Sequence, residues 1–573
     1  MPQTYRAALP YGLSEVSSMK GKRLAGLCVA IYVLFLVICS ASWLWGISLG
    51  DLAAAVTHSV ALEEGTFKND TADLAVILHD GETEKLDGFT ALRTADFRGS
   101  DCTDEIIAWA QAHPQVDVTY DVALPDGTRV DNHAESVSFA GVDSASLDTY
   151  IAALTKLPAV TAVDLGRGDG ASALSADALQ ALTAAHPGLL FSYAFTAGGI
   201  DCTLDAASLD LTGIDAASAA ELTPYLPCMT ALSSVTLGDE AGCKLTWDEI
   251  AALEKACPQA DFDYTFTLYG KSFTLADETI DLSKTEISDN GDAVVAALPA
   301  LTRCRTLDMD DGGIVTGLGN DRMQQIREQF PDIDVVWRIW FGTYYSVRTD
   351  TERILASRPS VGGILYDEEV DKLKYCTKAK YIDLGHNEMI YSIGFVQSMP
   401  DLEVFIIAMN PLSDLSPLAS CTKLEYLEIF TTNVTDLSPL SELTNLRHLN
   451  ISNLPNLTDI SPLYSLTELE RLWIGTLTPI PAEQVAEMQK RAPNCTISTS
   501  SSEAQGDAWR YTWYDENNAT YHWVERHELL REQLGYNYQE YSFYWLDPKC
   551  ERPAPAEYAG MYYGKTDSID DEP

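Results

Sequence analysis

A five-residue block recurs in the last third of the chain: Asp414-Leu-Ser-Pro-Leu418, Asp436-Leu-Ser-Pro-Leu440 and Asp459-Ile-Ser-Pro-Leu463, at spacings of 22 and 23 residues. Ahead of each lies a second block, Leu402-Glu-Val-Phe-Ile-Ile407, Leu424-Glu-Tyr-Leu-Glu-Ile429 and Leu446-Arg-His-Leu-Asn-Ile451, with a fourth copy at Leu469-Glu-Arg-Leu-Trp-Ile474. A unit this short cannot bury its apolar face alone. A fixed period of this size therefore implies a stack in which each unit is covered by its neighbours. Alternate apolar residues in the second block suit a short strand with one face inward. The proline in Asp-Leu-Ser-Pro-Leu fixes φ and rules out a long interior helix, so the connections on the far side should be turns or 3-10 pieces.

The array resembles the leucine-rich repeat family, of the bacterial internalin-like type. The family pattern L-x-x-L-x-L-x-x-N-x-L is met at Leu402, Phe405, Ile407, Asn410 and Leu412, and more loosely at Ala379, Ile382, Leu384, Asn387 and Met389. In the next unit Thr432 takes the asparagine place. The resemblance covers about residues 376–480. It implies an α/β solenoid with a curved parallel sheet, helices or 3-10 turns on the convex side, and a concave face formed by the non-core strand positions. Those positions include Tyr426 and His448. The residue before each final Ile should also point outward, giving the row Ile406, Glu428, Asn450, Trp473. These six residues are the candidate ligand-binding set, on a face expected to meet solvent.

A longer repeat lies upstream. Prolines at 114, 187, 258 and 331, spaced by 73, 71 and 73, each open a similar phrase, as in Cys257-Pro-Gln-Ala-Asp-Phe-Asp-Tyr264. Amphipathic stretches at Asp104–Ala112, Ser175–Ala185, Thr246–Ala256 and Asp321–Gln329 precede them and read as helices. Matching strand signals occur at Val137-Ser-Phe139, Leu209-Asp-Leu211 and Ile280-Asp-Leu282, and again at Val163-Asp-Leu165, Val235-Thr-Leu237 and Thr306-Leu-Asp-Met309. Each unit of about 72 residues thus holds three strands at leucine-rich-repeat spacing, so residues 70–375 read as a divergent part of the same solenoid. A row of small α/β modules is the alternative.

The 573 residues carry a net charge of −46. A surface so acidic repels phosphate backbones, which excludes a nucleic-acid partner. Residues 24–50 are apolar and without charge, preceded by Lys20, Lys22 and Arg23 and followed by Asp51. That is long enough to span a bilayer, with the N-terminus kept in the cytoplasm by its positive charges. Trp43 and Trp45 fall at the outer interface. A cleaved signal peptide is the rival reading; either way the chain beyond residue 50 is exported. The expected organisation is a cytoplasmic tail (1–23), a signal-anchor (24–50), the divergent repeats (51–375), the regular repeats (376–500) and a C-terminal region (501–573).

That last region holds fifteen aromatics between Gly506 and Tyr563. It is expected to cap the open end of the solenoid; a glycan platform of exposed Trp and Tyr faces is the alternative. A helix is expected at Val524–Leu534, and the end of the chain, Asp567–Pro573, is acidic. Ten cysteines lie beyond the apolar run. Cys376 and Cys421 occupy matching repeat sites, as small buried hydrophobes would. No pair has zinc spacing.

No catalytic signature is present: no H-E-x-x-H, no G-x-S-x-G and no phosphate-binding loop. No cofactor or metal is expected. Two acidic turns, Asp164–Gly170 and Asp308–Gly313, lack the spacing of known calcium loops and read as solvated turns. Arg167-Gly168-Asp169 reads as a chance tripeptide, and of six glycosylation sequons Asn450 lies within a repeat strand. The sequence thus points to a non-enzymatic, membrane-anchored, extracellular repeat protein that binds a protein or glycan through its concave face. An exported carbohydrate-binding protein or enzyme using the aromatic region, or a structural envelope protein, are the alternatives.

Overall fold

The computed structural model describes residues 58–139, 142–168, 173–313, 318–357, 363–500 and 541–558, together with residues 32–33, Trp509 and the strands Tyr511–Asp515 and Thr520–Trp523. The expected signal-anchor, apart from residues 32–33, the expected helix at 524–534, Asp169 and the acidic C-terminus lie outside these. Among the described residues no helix is long and apolar enough to cross a membrane. The chain divides into two compact units, residues 1–209 with 217–234, and residues 210–216 with 235–573.

In the first unit, strands Asp73–Ala75, Thr94–Asp96 and Asp117–Thr119 pair in parallel. So do Ser136–Ser138, Ala162–Arg167 and Leu190–Ala197. The helices Thr103–Ala112 and Ala176–Ala185 fall where the amphipathic stretches place them. The Ser175 hydroxyl caps the second by accepting from the amide of Ala178 at 3.2 Å. The three strands of each repeat are therefore present, but they do not join into one continuous sheet. Leu190–Ala197 runs on into an antiparallel return strand, Ile200–Thr203, which occupies the edge the next repeat would need. A hairpin follows the first group likewise, Asp121–Ala123 with Arg129–Asp131.

The second unit repeats this scheme before becoming regular. Asp261–Leu268 turns back on Lys271–Thr274. Thr279–Asp281, Thr306–Asp308 and Asp334–Val336 are parallel, and a hairpin, Arg338–Phe341 with Tyr345–Arg348, ends the group. Then comes an unbroken parallel sheet of seven three-residue strands: β1 (Arg353–Leu355), β2 (Tyr381–Asp383), β3 (Val404–Ile406), β4 (Tyr426–Glu428), β5 (His448–Asn450), β6 (Arg471–Trp473) and β7 (Thr496–Ser498). The register joins equivalent residues, so Ile382, Phe405, Leu427, Leu449 and Leu472 form one inward row. All five are completely buried. This is a leucine-rich-repeat-like α/β fold.

The repeated blocks have the expected jobs. In each Asp-(Leu/Ile)-Ser-Pro-Leu copy the Asp carboxylate accepts from the amide and the hydroxyl of the serine, at 2.8 and 2.9 Å for Asp414 with Ser416. The same pair recurs at Asp436–Ser438 and Asp459–Ser461. The chain then enters a 3-10 turn, as at Ser416–Ser420, while Leu415 and Leu418 return to the core. Where each strand turns away, a side chain satisfies backbone carbonyls left without strand partners. Asn387 Nδ2 donates to the carbonyls of Ala356 and Leu384 at 2.9 Å, and Asn410 Nδ2 to those of Leu384 and Ile407 at 2.9 and 3.1 Å. Thr432 and Thr478 do this with one hydroxyl, to Ile429 at 2.8 Å and Ile451 at 2.9 Å. Each bend also passes through a left-handed residue: His386, Met409, Thr431, Asn453 and Gly475.

All ten described cysteines are free, and Cys376 and Cys421 are fully buried, as apolar side chains of that size would be. Replacing Asn410 by alanine leaves buried carbonyls without donors. It should lower stability by about 2–3 kcal/mol in urea unfolding. Asp436→Ala, at an exposed turn, should cost about 1 kcal/mol or less.

Candidate functional site

In a parallel ladder, the two residues flanking each inward one share the opposite face. Val404, Tyr426, His448 and Arg471 form one row across β3–β6, and Ile406, Glu428, Asn450 and Trp473 the next. The six candidate residues therefore share one face, as the repeat pattern implies. They are not in contact with solvent: Tyr426, His448, Ile406, Glu428 and Asn450 are exposed by 1% or less and Trp473 by 6%. The expectation of a solvent-facing surface is corrected here, because the face is covered by another part of the chain.

Among the described residues Trp509, itself completely buried, packs on this face. It joins Leu355, Tyr381, Val404, Ile406, Tyr426 and Trp473 in one apolar cluster on this face. Its ring centroid lies 5.6 Å from Tyr426, 5.9 Å from Trp473 and 6.1 Å from His448. The Arg471 guanidinium sits 5.0 Å from the indole centroid, within cation–π range, and donates to the Trp509 carbonyl. The indole N–H donates to Glu428 Oε1 at 2.9 Å, and the same oxygen accepts from the Tyr426 hydroxyl. A buried carboxylate is tolerable only with such donors. Asn450 Oδ1 accepts from the amide and hydroxyl of Ser452, at 3.0 and 2.6 Å.

Among the described residues, His448 Nδ1 and Trp473 Nε1 on this face have no hydrogen-bond partner. Burial first, and the nearby Arg471 charge second, push the His448 pKa down to about 3, so the ring is neutral at physiological pH. Its Nε2 lies 3.6 Å from the Glu470 carboxylate, too far for a hydrogen bond.

A second stretch of the C-terminal region is held differently. Ser542 exchanges hydrogen bonds with Leu355, amide to carbonyl at 2.7 Å and hydroxyl from amide at 2.9 Å, and its carbonyl accepts from Ser346 at 3.0 Å. Phe543 makes an antiparallel bridge to Tyr345, with the rings stacked at 5.0 Å. Beyond them Asp547 reaches Arg338, whose side chain is wholly buried. That guanidinium donates to Asp310 at 2.7 and 2.8 Å, to Asp547 at 2.8 Å and to Ser346 Oγ at 3.1 Å. Arg348 bonds Asp308 and Asp310 as well. The acidic turn Asp308–Gly313, expected to be solvated, is instead the anion side of this network, closed by Glu551 on Lys284 at 2.7 Å and on the Gly312 carbonyl at 2.8 Å. Burial alone would raise the Asp310 carboxyl; Arg338 outweighs it and holds the group below the ordinary range.

The described residues Trp509 and 541–558 thus lie against strands and turns of the solenoid, upstream of its last repeat as well as near it. Trp545, half-buried, is stacked on Phe543 at 4.6 Å and on Tyr558 at 5.9 Å. The side chains of Trp513 and Trp523 lie outside the described residues. Among the described residues no group of His, Cys, Asp or Glu is arranged to hold a metal ion. Sequence reading missed Trp509 and Arg338. The available signals were the apolar character of Val404, Ile406 and Trp473 at supposedly outward positions, and a lone arginine in Trp337-Arg-Ile-Trp340.

Trp509→Ala should lower stability by about 3 kcal/mol in urea unfolding, the cost of emptying a buried indole site. The Asp310 contribution is fully present above its unfolded value near pH 4 and is lost as pH falls through the lower folded value. Stability measured from pH 6 to pH 2 should therefore decline with acid, and Asp310→Asn, less stable at pH 6, should show a flatter decline.

No family model matches the chain, and no curated protein matches it. Among solved structures, internalin C2 of Listeria monocytogenes is 18% identical over 41% of this chain and 88% of its own, with a TM-score of 0.23. A leucine-rich repeat protein of Leptospira interrogans is 14% identical over 72% of this chain and 91% of its own, with a TM-score of 0.23. A chain of an octameric complex of Latrophilin 3, Unc5D and FLRT2, the last with leucine-rich repeats, matches at 17% identity over 48% of this chain and 86% of its own, with a TM-score of 0.23. The repeat fold of this chain rests on its own strand pairing, not on these similarities.

Proposed function

We propose that this chain is a protein-binding leucine-rich repeat protein, exported and held at the cell membrane by residues 24–50, and that it engages its partner through the outward face of β3–β6. One observation carries the reading: this face already holds a polypeptide segment, reading an aromatic side chain and its main-chain carbonyl together through Glu428 and Arg471. Tyr, Trp and Arg around a buried acceptor are the groups that concentrate binding energy at protein interfaces. A protein partner is favoured over a glycan because Trp509 is buried and the Trp545 ring is stacked on other aromatics, so neither offers a free face to a sugar.

The test is site-specific cross-linking on intact cells. A photoreactive residue at His448 or Ile406 should capture one discrete protein. A photoreactive residue at Lys423, outside the face, should not, and Glu428→Lys should abolish capture. Protease added outside the cells should remove an epitope placed after Ser500 and spare one placed before Lys20. Capture from Lys423 equal to that from His448, or selective binding to a glycan array, would defeat the proposal.

A further inference from the structure

The contacts of Trp509 define a ligand chemistry, and the geometry points to a tryptophan-reading site that the chain keeps filled with its own residue: a partner segment bearing an exposed tryptophan displaces Trp509 and takes its place. This rests on the face of β3–β6 being the binding surface.

Three observations lead there. First, the site reads features specific to tryptophan within a polypeptide. Glu428 accepts the indole N–H at 2.9 Å, which no phenyl ring could supply. Arg471 donates to the main-chain carbonyl of the same residue while lying over its ring. Tyr426, His448 and Trp473 form the aromatic surround.

Second, the resident side chain satisfies the site incompletely. Among the described residues, His448 Nδ1 and Trp473 Nε1 are buried without a hydrogen-bond partner. A buried donor left unpaired is a cost that a better-matched ligand recovers. A peptide carrying one acceptor for the Trp473 N–H would therefore gain what Trp509 forgoes. The residues from Ser542 to Glu551, by contrast, are fixed by backbone pairing and by Arg338, so Trp509 can leave while that stretch stays in place.

Third, the charge around the site selects the flanks of the ligand. The residues just before β3, β4 and β6 are Glu403, Glu425 and Glu470. The one guanidinium in that row, Arg447, is paired to Glu468 at 3.0 Å. Basic residues beside the tryptophan suit this rim, and in this chain Trp509 is itself followed by Arg510.

The experiment uses the full-length protein and a labelled peptide of residues 502–511, which contains a single tryptophan, followed by fluorescence anisotropy. Trp509→Ala protein should bind the peptide at least tenfold more tightly than wild type. The peptide with alanine in place of its tryptophan should not bind. Adding Glu428→Leu to the Trp509→Ala protein should weaken binding at least tenfold. If Trp509→Ala does not melt cooperatively, Trp509→Phe, which keeps the ring and loses the donor, serves in its place, with the same ordering expected. Equal affinity of wild type and variant, no binding to a folded variant, or a concentration-dependent dimer formed by exchange of Trp509 between copies would overturn the inference. Partner cross-linking at His448 without peptide binding would overturn it while leaving the partner-binding reading standing. Peptide binding without cross-linking would overturn the partner-binding reading and, with it, displacement of Trp509 by a partner, leaving only the tryptophan-reading chemistry of the site.

Discussion

Every strand of the regular array is three residues long, and like any strand it cannot satisfy its own backbone. The whole architecture follows from that. Each N–H and C=O must find its partner on the neighbouring repeat, so the seven strands stand or fall as a ladder. The same requirement explains the bends. When the chain leaves the ladder, the freed carbonyls are taken by Asn387, Asn410, Thr432 and Thr478. When it enters the next turn, the Asp–Ser pair supplies the missing acceptor.

A parallel sheet is normally covered on both faces. Here one face is covered by the repeat interior, and on the other, among the described residues, lies Trp509. That second covering differs in kind. The interior row is apolar, built of side chains such as Ile382, Phe405 and Leu427. The outer face contains a carboxylate, a neutral histidine and a guanidinium, whose bonds are satisfied only by groups at defined places. An internal polar contact of this sort confers selectivity about what may lie on the sheet, in addition to whatever stability it contributes.

The ladder was legible in the sequence because period and alternation are local properties. Positions 405, 427, 449 and 472 repeat the same environment, and each could be assigned without knowing the rest of the fold. The grouping of strands in the upstream repeats was legible too, while the interruption of the sheet was not. It depends on Leu190–Ala197 and Asp261–Leu268 running beyond their parallel pairing into return strands. The assignment of Ile406, Glu428, Asn450, Trp473, Tyr426 and His448 to one face follows from alternation alone. Their burial does not, since Trp509 comes from a segment with no periodic relation to the strands. Arg338 and Asp547 meet through tertiary contacts that no local pattern encodes.

The Arg338–Asp547 contact has a consequence in time. The two residues are 209 apart in the chain, so the guanidinium is synthesised well before the carboxylate that completes its shell. Until then its acceptors are Asp310 and Ser346. The bond to Asp547 is therefore the one contact of this shell that a chain stopping short of residue 547 would lack.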